Sequence, residues 1–218
     1  MLAMTHLFAI ITPLPDPPFL QVWALERPLP AAILLIIVGL LIVALLARRS
    51  QARLGGAIGA VLVLAGLGVF LLGAIVTTER ERVIRLTHQL VDAAETGDSG
   101  RAGEIIGDDF ALAISGTRLS QINRDVLLGI VENFPAEVQP RGMTILETQA
   151  VVSSPIAART QFRVRVISNI GPPSVTWWRL DWRRGDNDEW ILDTIDWQSL
   201  NGRRPGVERA ADVMRFAR

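Results

Sequence analysis

The chain contains no cysteine, no tyrosine and no lysine, and only two histidines. Without cysteine it can form neither a disulfide framework nor a thiolate metal site, and its redox compartment leaves no mark on the sequence. A basic set made wholly of arginine, beside abundant alanine, glycine and leucine, reads as the composition of a high-GC bacterium. An excess of either charge is missing as well. The 22 basic residues balance 22 acidic ones, so no net field gathers nucleic acid and no nucleic-acid partner is expected. No stretch carries a catalytic, metal or cofactor motif, so neither a cofactor nor a metal is expected.

What the sequence has in excess is apolar length. Half of its 218 residues are hydrophobic and the mean hydropathy is +0.33, too apolar for an ordinary soluble chain of this size. Residues 31–47 hold no ionisable side chain and, with Leu29 and Pro30, make about 28 Å of helix, enough to cross a bilayer core. Residues 54–76 are equally free of charge and make about 34 Å at the same rise. Arg48, Arg49 and Arg53 lie between the two runs and are costly to bury. Two spans are therefore predicted, a transmembrane helical hairpin at 29–47 and 54–76 behind a proline-rich tail at 1–28. The competing reading, a buried core hairpin, needs a much larger protein around a helix that is apolar on every face. A cleaved leader is disfavoured by the lack of a basic start and by Pro13, Pro15, Pro17 and Pro18.

Gly59, Gly66 and Gly73 recur at intervals of seven, with Gly55 four residues earlier, and line one stripe of the second span. Such a stripe lets another helix approach closely, with Gly39 of the first span as its partner. The plainer account is that glycine is common in transmembrane helices. Neither span contains an ionisable group, which argues against a proton relay or ion pathway and for an anchor in the lipid bilayer. The basic loop between the spans is expected in the cytoplasm of a bacterial cell membrane, with both termini and the following domain outside. Arg80, Arg82 and Arg85, just past the second span, pull the other way.

Behind the hairpin, Thr78 and Glu81 fit a capping box, and Val83, Leu86, Leu90, Val91 and Ala94 make a helical apolar face that Gly97 closes. A short helix is predicted over 100–106, a strand over 110–114, a turn at Ser115, Gly116 and Thr117, and a helix capped by Ser120. From Arg141 the period falls toward two, predicting strands at 144–153, 158–170, 174–184 and 190–198. The fold class is thus α+β, with a soluble domain at 79–200 and a basic tail at 201–218. The five arginines of that tail, on a short helix, would favour anionic lipid.

This order, with the helix RVIRLTHQLVDAAETGD, the strand DDFALAISG, the helix LSQINRDVLLGIVENF and the closing strand WILDTIDWQSL, resembles the NTF2-like or SnoaL-like superfamily over about residues 79–200. The resemblance implies a curved antiparallel sheet wrapped around a long helix, a cone with an apolar pocket, and a homodimer through the sheet. The superfamily includes isomerases, cyclases and dehydratases beside binding and assembly modules, so the fold alone names no function. In its ketosteroid isomerase branch an aspartate base works with a tyrosine oxyanion hole, and this chain has no tyrosine.

The acid–base candidates are His88 on the first domain helix and Asp193 and Asp196 on the last strand. A half-buried structural histidine and an arginine-paired surface acid are the plainer readings, and opposite strand parity lets at most one aspartate face the cone. Phe162, Trp178, Leu180, Trp182 and Trp197 share the parity of a pocket lining. Arg159, Gln161, Arg163 and Arg165, with Arg179, Asp181 and Arg183, form the opposite face, which reads as a solvated ladder, a dimer surface or an anionic-ligand site. Two functions follow: a membrane-anchored module binding a protein partner or small apolar ligand, and a membrane-tethered isomerase, cyclase or hydrolase using a pocket aspartate.

Overall fold

The computed structural model describes residues 11–15, 28–48, 52–75 and 78–206. The chain divides into two compact units, one of residues 16–78 and one of residues 1–15 with 79–218. The basic helix predicted in the tail lies outside the described residues.

The first unit is a pair of helices, α1 (Pro28–Arg48) and α2 (Ala52–Ile75). Within α1, Leu29–Leu46 is long and apolar enough to cross a membrane, whereas the described apolar run of α2, Gly55–Leu71, is shorter. The helices meet along glycines. A Cβ added at Gly59 would collide with Val43 Cγ2 and lie 3.1 Å from the Gly39 carbonyl oxygen, and one at Gly66 would lie 3.0 Å from that of Ala32. At Gly55 the added atom would meet Leu46 Cβ at 2.8 Å, while the surroundings of Gly73 lie outside the description. The opposite flanks carry exposed leucines, among them Leu34, Leu41 and Leu45 on α1 and Leu64 and Leu71 on α2.

The second unit is built on α3 (Glu79–Thr96), α4 (Ser99–Ile105), β1 (Ile106–Ile114), β2 (Thr117–Leu119), α5 (Arg124–Val138), β3 (Pro140–Ser154), β4 (Ala157–Ser168), β5 (Ser174–Arg184) and β6 (Trp190–Leu200). Gly97 ends α3 in the left-handed region at φ +75°, and the Asp98 N–H reaches back to Ala93 O at 2.9 Å. That conformation suits glycine, and a Cβ there would also press on Pro135 at 3.0 Å. Asn123, not Ser120, caps α5, its side chain accepting from Val126 N at 3.0 Å. The residues just before Ser120 form the short strand β2, which periodicity over three residues cannot reveal, and Ser120 itself lies in the turn that follows it.

The six strands lie in the order β2-β1-β6-β5-β4-β3. The β3–β4, β4–β5 and β5–β6 pairs are antiparallel, as the alternation predicts, but β1 pairs with β6 in parallel. The long β3 carries three register shifts against β4, and such bulges bend a strand. Val83, Leu90 and Val91 of α3, with Leu127 and Val131 of α5, are buried in one core with Phe162, Leu180 and Leu192 of the sheet.

Candidate functional site

Strand alternation gives the sheet two chemically opposite faces. On the face covered by α3 and α5 lies a cavity of about 310 Å³, walled by Phe162, Val164, Trp178, Leu180 and Trp197 from the strands and by residues such as Leu90 and Phe134 from the helices. Register explains the grouping, because Phe162 pairs with Trp178 and Trp178 in turn with Trp197. The two indoles stack with centroids 5.7 Å apart and planes 15° apart. Both indole N–H groups are engaged by neighbouring residues, that of Trp178 with Thr176 Oγ1 at 2.7 Å and that of Trp197 with Ser199 O at 3.0 Å. None of the described residues lining this cavity is titratable; Ser174 and Thr176 supply the only hydroxyls among them.

Trp182, predicted in the same lining, is not there. It occupies the same sheet face further along, 2% exposed in the core, with its indole N–H donated to Thr160 Oγ1 at 3.0 Å. His88 is exposed on α3 and does not line the cavity. The two aspartates are also elsewhere. Asp193 sits in a bulge of β6, between the partners of Asp181 and Trp182, where it faces Arg183 at 3.4 Å and Arg118 at 3.8 Å. That bulge resets the alternation, so the parity that was to separate the aspartates does not apply and neither enters the apolar cavity.

Asp196 belongs to the opposite face and is 1% exposed. Its carboxylate accepts from Arg179 at 2.9 Å, from the Gly116 N–H at 3.0 Å and from Gln198 Nε2 at 3.3 Å. The glycine donor is delivered by the β1–β2 turn, where Ser115 and Gly116 take φ of 52° and 85°, as in a type I′ hairpin. Around this carboxylate lies a second cavity, of about 410 Å³, lined by Arg159, Gln161, Arg179, Asp196, Gln198 and Arg204 and also by residues 11–15. Elsewhere on the arginine face, Arg159 is paired with Asp181 and Arg163 with Glu147 at 3.6 Å.

Sequence reasoning missed one cluster. Glu79, the first residue of α3, accepts from the Trp190 indole at 2.7 Å and faces Arg82 and Arg184, each at 3.3 Å. Burial pushes its carboxyl up, but the indole hydrogen bond and the two guanidinium charges together outweigh that and hold it below the ordinary carboxylate value. Arg184 also lies over the Trp190 ring, 5.3 Å from its centroid. The cluster fixes the start of α3 to the ends of β5 and β6, a structural task.

A long helix lodged on a six-stranded sheet over an apolar cavity is the arrangement that the resemblance in the sequence implies, but the sheet is mixed and not wholly antiparallel, because β1 runs parallel to β6. The fold of this unit is α+β, with helices laid on one face of a mixed six-stranded sheet. No protein-family model and no curated protein sequence matches the chain. Among solved structures it is similar to an NTF2-like protein from Cytophaga hutchinsonii, at 10% identity over 56% of this chain and 98% of that one, with a TM-score of 0.47. An NTF-2 like protein of unknown function from Shewanella oneidensis is 18% identical over 55% of this chain and 98% of its own, at a TM-score of 0.44. A protein with a cystatin-like fold from Caulobacter vibrioides is 14% identical over 61% and 93%, at 0.46. These likenesses concern the fold alone.

Proposed function

We propose that the chain is a membrane-tethered binding module whose NTF2-like unit holds a small uncharged apolar ligand. The observation that carries the reading is the 310 Å³ cavity whose described walls contain no titratable group and whose two indole N–H groups are already engaged. Such a wall recognises shape and apolar surface, with two hydroxyls for orientation. Acid–base chemistry on the occupant needs a proton-transferring group within reach, and Asp193, Asp196 and His88 all lie outside this wall.

The tether is a two-span hairpin of α1 and α2. Supporting it, residues 11–15 ahead of the helices share a compact unit with the domain behind them. A chain that leaves this unit, enters a bilayer and rejoins it crosses an even number of times. The Gly55, Gly59 and Gly66 seam packs the two spans, and the exposed leucines face lipid. The basic loop at 48–53 favours the cytoplasm, with the domain outside.

The test uses N-phenyl-1-naphthylamine, a neutral apolar fluorophore, with the full chain in micelles whose own probe signal is subtracted. Saturable binding with energy transfer from tryptophan is expected, at a dissociation constant of about 10–100 μM for a ligand of this size. Ala94→Phe, which fills the cavity from α3, should weaken binding by about tenfold or more while leaving the circular dichroism unchanged. Equal binding by the variant, or none by the parent, overturns the reading.

A further inference from the structure

We propose that the polar cavity on the opposite face of the sheet is a second site, for a small polyhydroxylated carboxylate of the sugar-acid type. The walls supply three arginines and one aspartate, a surplus of positive charge in a recess of about 410 Å³. Arg159 and Arg179 are held by Asp181 and Asp196. Arg204 is exposed and forms no ion pair among the described residues, so one guanidinium is left for an incoming anion.

Hydrogen-bond direction defines the rest of the ligand. Gln198 donates its Nε2 to Asp196, which leaves Gln198 Oε1 to accept from Gln161 Nε2 at 3.0 Å. That fixes the Gln161 amide, because reversing it would set two oxygens against each other. The chain of donors therefore ends on Gln161 Oε1, an acceptor on a residue 2% exposed, which has no partner. Beside it, Arg179 Nε is a buried donor without a partner. Buried polar atoms are usually satisfied in folded proteins, and of the described residues that hold an unpartnered one, Gln161 and Arg179 are the two that line this recess.

The occupant must bring a donor for Gln161 Oε1, an acceptor for Arg179 Nε and negative charge for Arg204. A simple anion such as acetate brings no donor, and a neutral sugar brings no charge. A hydroxylated carboxylate brings all three. Residues 11–15 line the same recess, and although Ile11, Thr12 and Leu14 carry N–H groups, none of them bonds Gln161 Oε1, which stays without a partner.

Isothermal titration of the full chain in micelles with D-glucuronate tests this, with D-glucose and acetate as partial probes. One glucuronate is expected to bind per chain, with glucose and acetate each at least about tenfold weaker, the size of one lost charge-assisted hydrogen bond. Gln161→Leu and Arg204→Ala should each weaken glucuronate by a similar factor. Arg204 is exposed, so its variant keeps the test sound if Gln161→Leu fails to fold. Absence of glucuronate binding at millimolar concentration, acetate binding as tight as glucuronate, or Arg204→Ala binding as tightly as the parent overturns the proposal. So does self-association in sedimentation that Arg204→Ala abolishes, which would assign the recess to a second copy of the chain. Both cavities lie on separate faces, so either result leaves the apolar site's test unaffected.

Discussion

Thr160 shows how much one hydroxyl organises in this core. It is fully buried, accepts from the Trp182 indole at 3.0 Å and meets Thr87 Oγ1 at 3.0 Å. Thr87 directs its own hydrogen to Val83 O at 2.8 Å, so the hydrogen between the two threonines belongs to Thr160. Thr160→Val preserves shape but strands the indole donor and the Thr87 oxygen, a cost of about 1–3 kcal/mol. Thr160→Ser should keep the hydroxyl pair and lose less. Thermal unfolding followed by tryptophan fluorescence distinguishes them, and equal losses would assign the effect to packing instead. The same pairing explains why Trp182 left the predicted cavity lining. Alternation places a side chain on a face, but its position along that face is set by α3 and Thr87, which strand periodicity does not report.

At the scale of elements, the helices and the four long strands were legible because each combines many residues of one period. The α3 stripe and the Phe162, Trp178 and Leu180 alternation lead straight to the core and the apolar cavity. The polar cavity was less legible, since it depends on a bulge at Asp193 and on the turn that brings Gly116 to Asp196. Neither feature has a periodic signal, and both depend on strands far apart in sequence. In the helical pair, spacing pointed to a glycine stripe without saying which glycines touch. Gly59→Leu places a side chain against Val43 and the Gly39 carbonyl, whereas nothing lies within 4 Å of a Cβ at Gly56. Gly59→Leu should destabilise the helix pair by about 1–3 kcal/mol, and Gly56→Leu by less than about 0.5 kcal/mol. Helicity during thermal unfolding in micelles measures both, and equal effects would remove the seam as the cause.

At the scale of the whole chain, its lack of cysteine makes the topology directly measurable. Thr12 and Asn187 belong to one compact unit, while the loop containing Ser50 lies between the two helices. A hairpin therefore requires Thr12→Cys and Asn187→Cys to share one side of the membrane and Ser50→Cys to lie on the other. With the basic loop inside, a membrane-impermeant maleimide should label the first two in intact cells and reach Ser50→Cys only after permeabilisation. The reversed pattern would keep the hairpin and invert it. Labels at Thr12 and Asn187 on opposite sides would mean a single crossing and would separate residues 11–15 from the sheet face they line. The polar cavity would then lose one wall, so the same three labels also test whether that site exists when the chain is in a membrane.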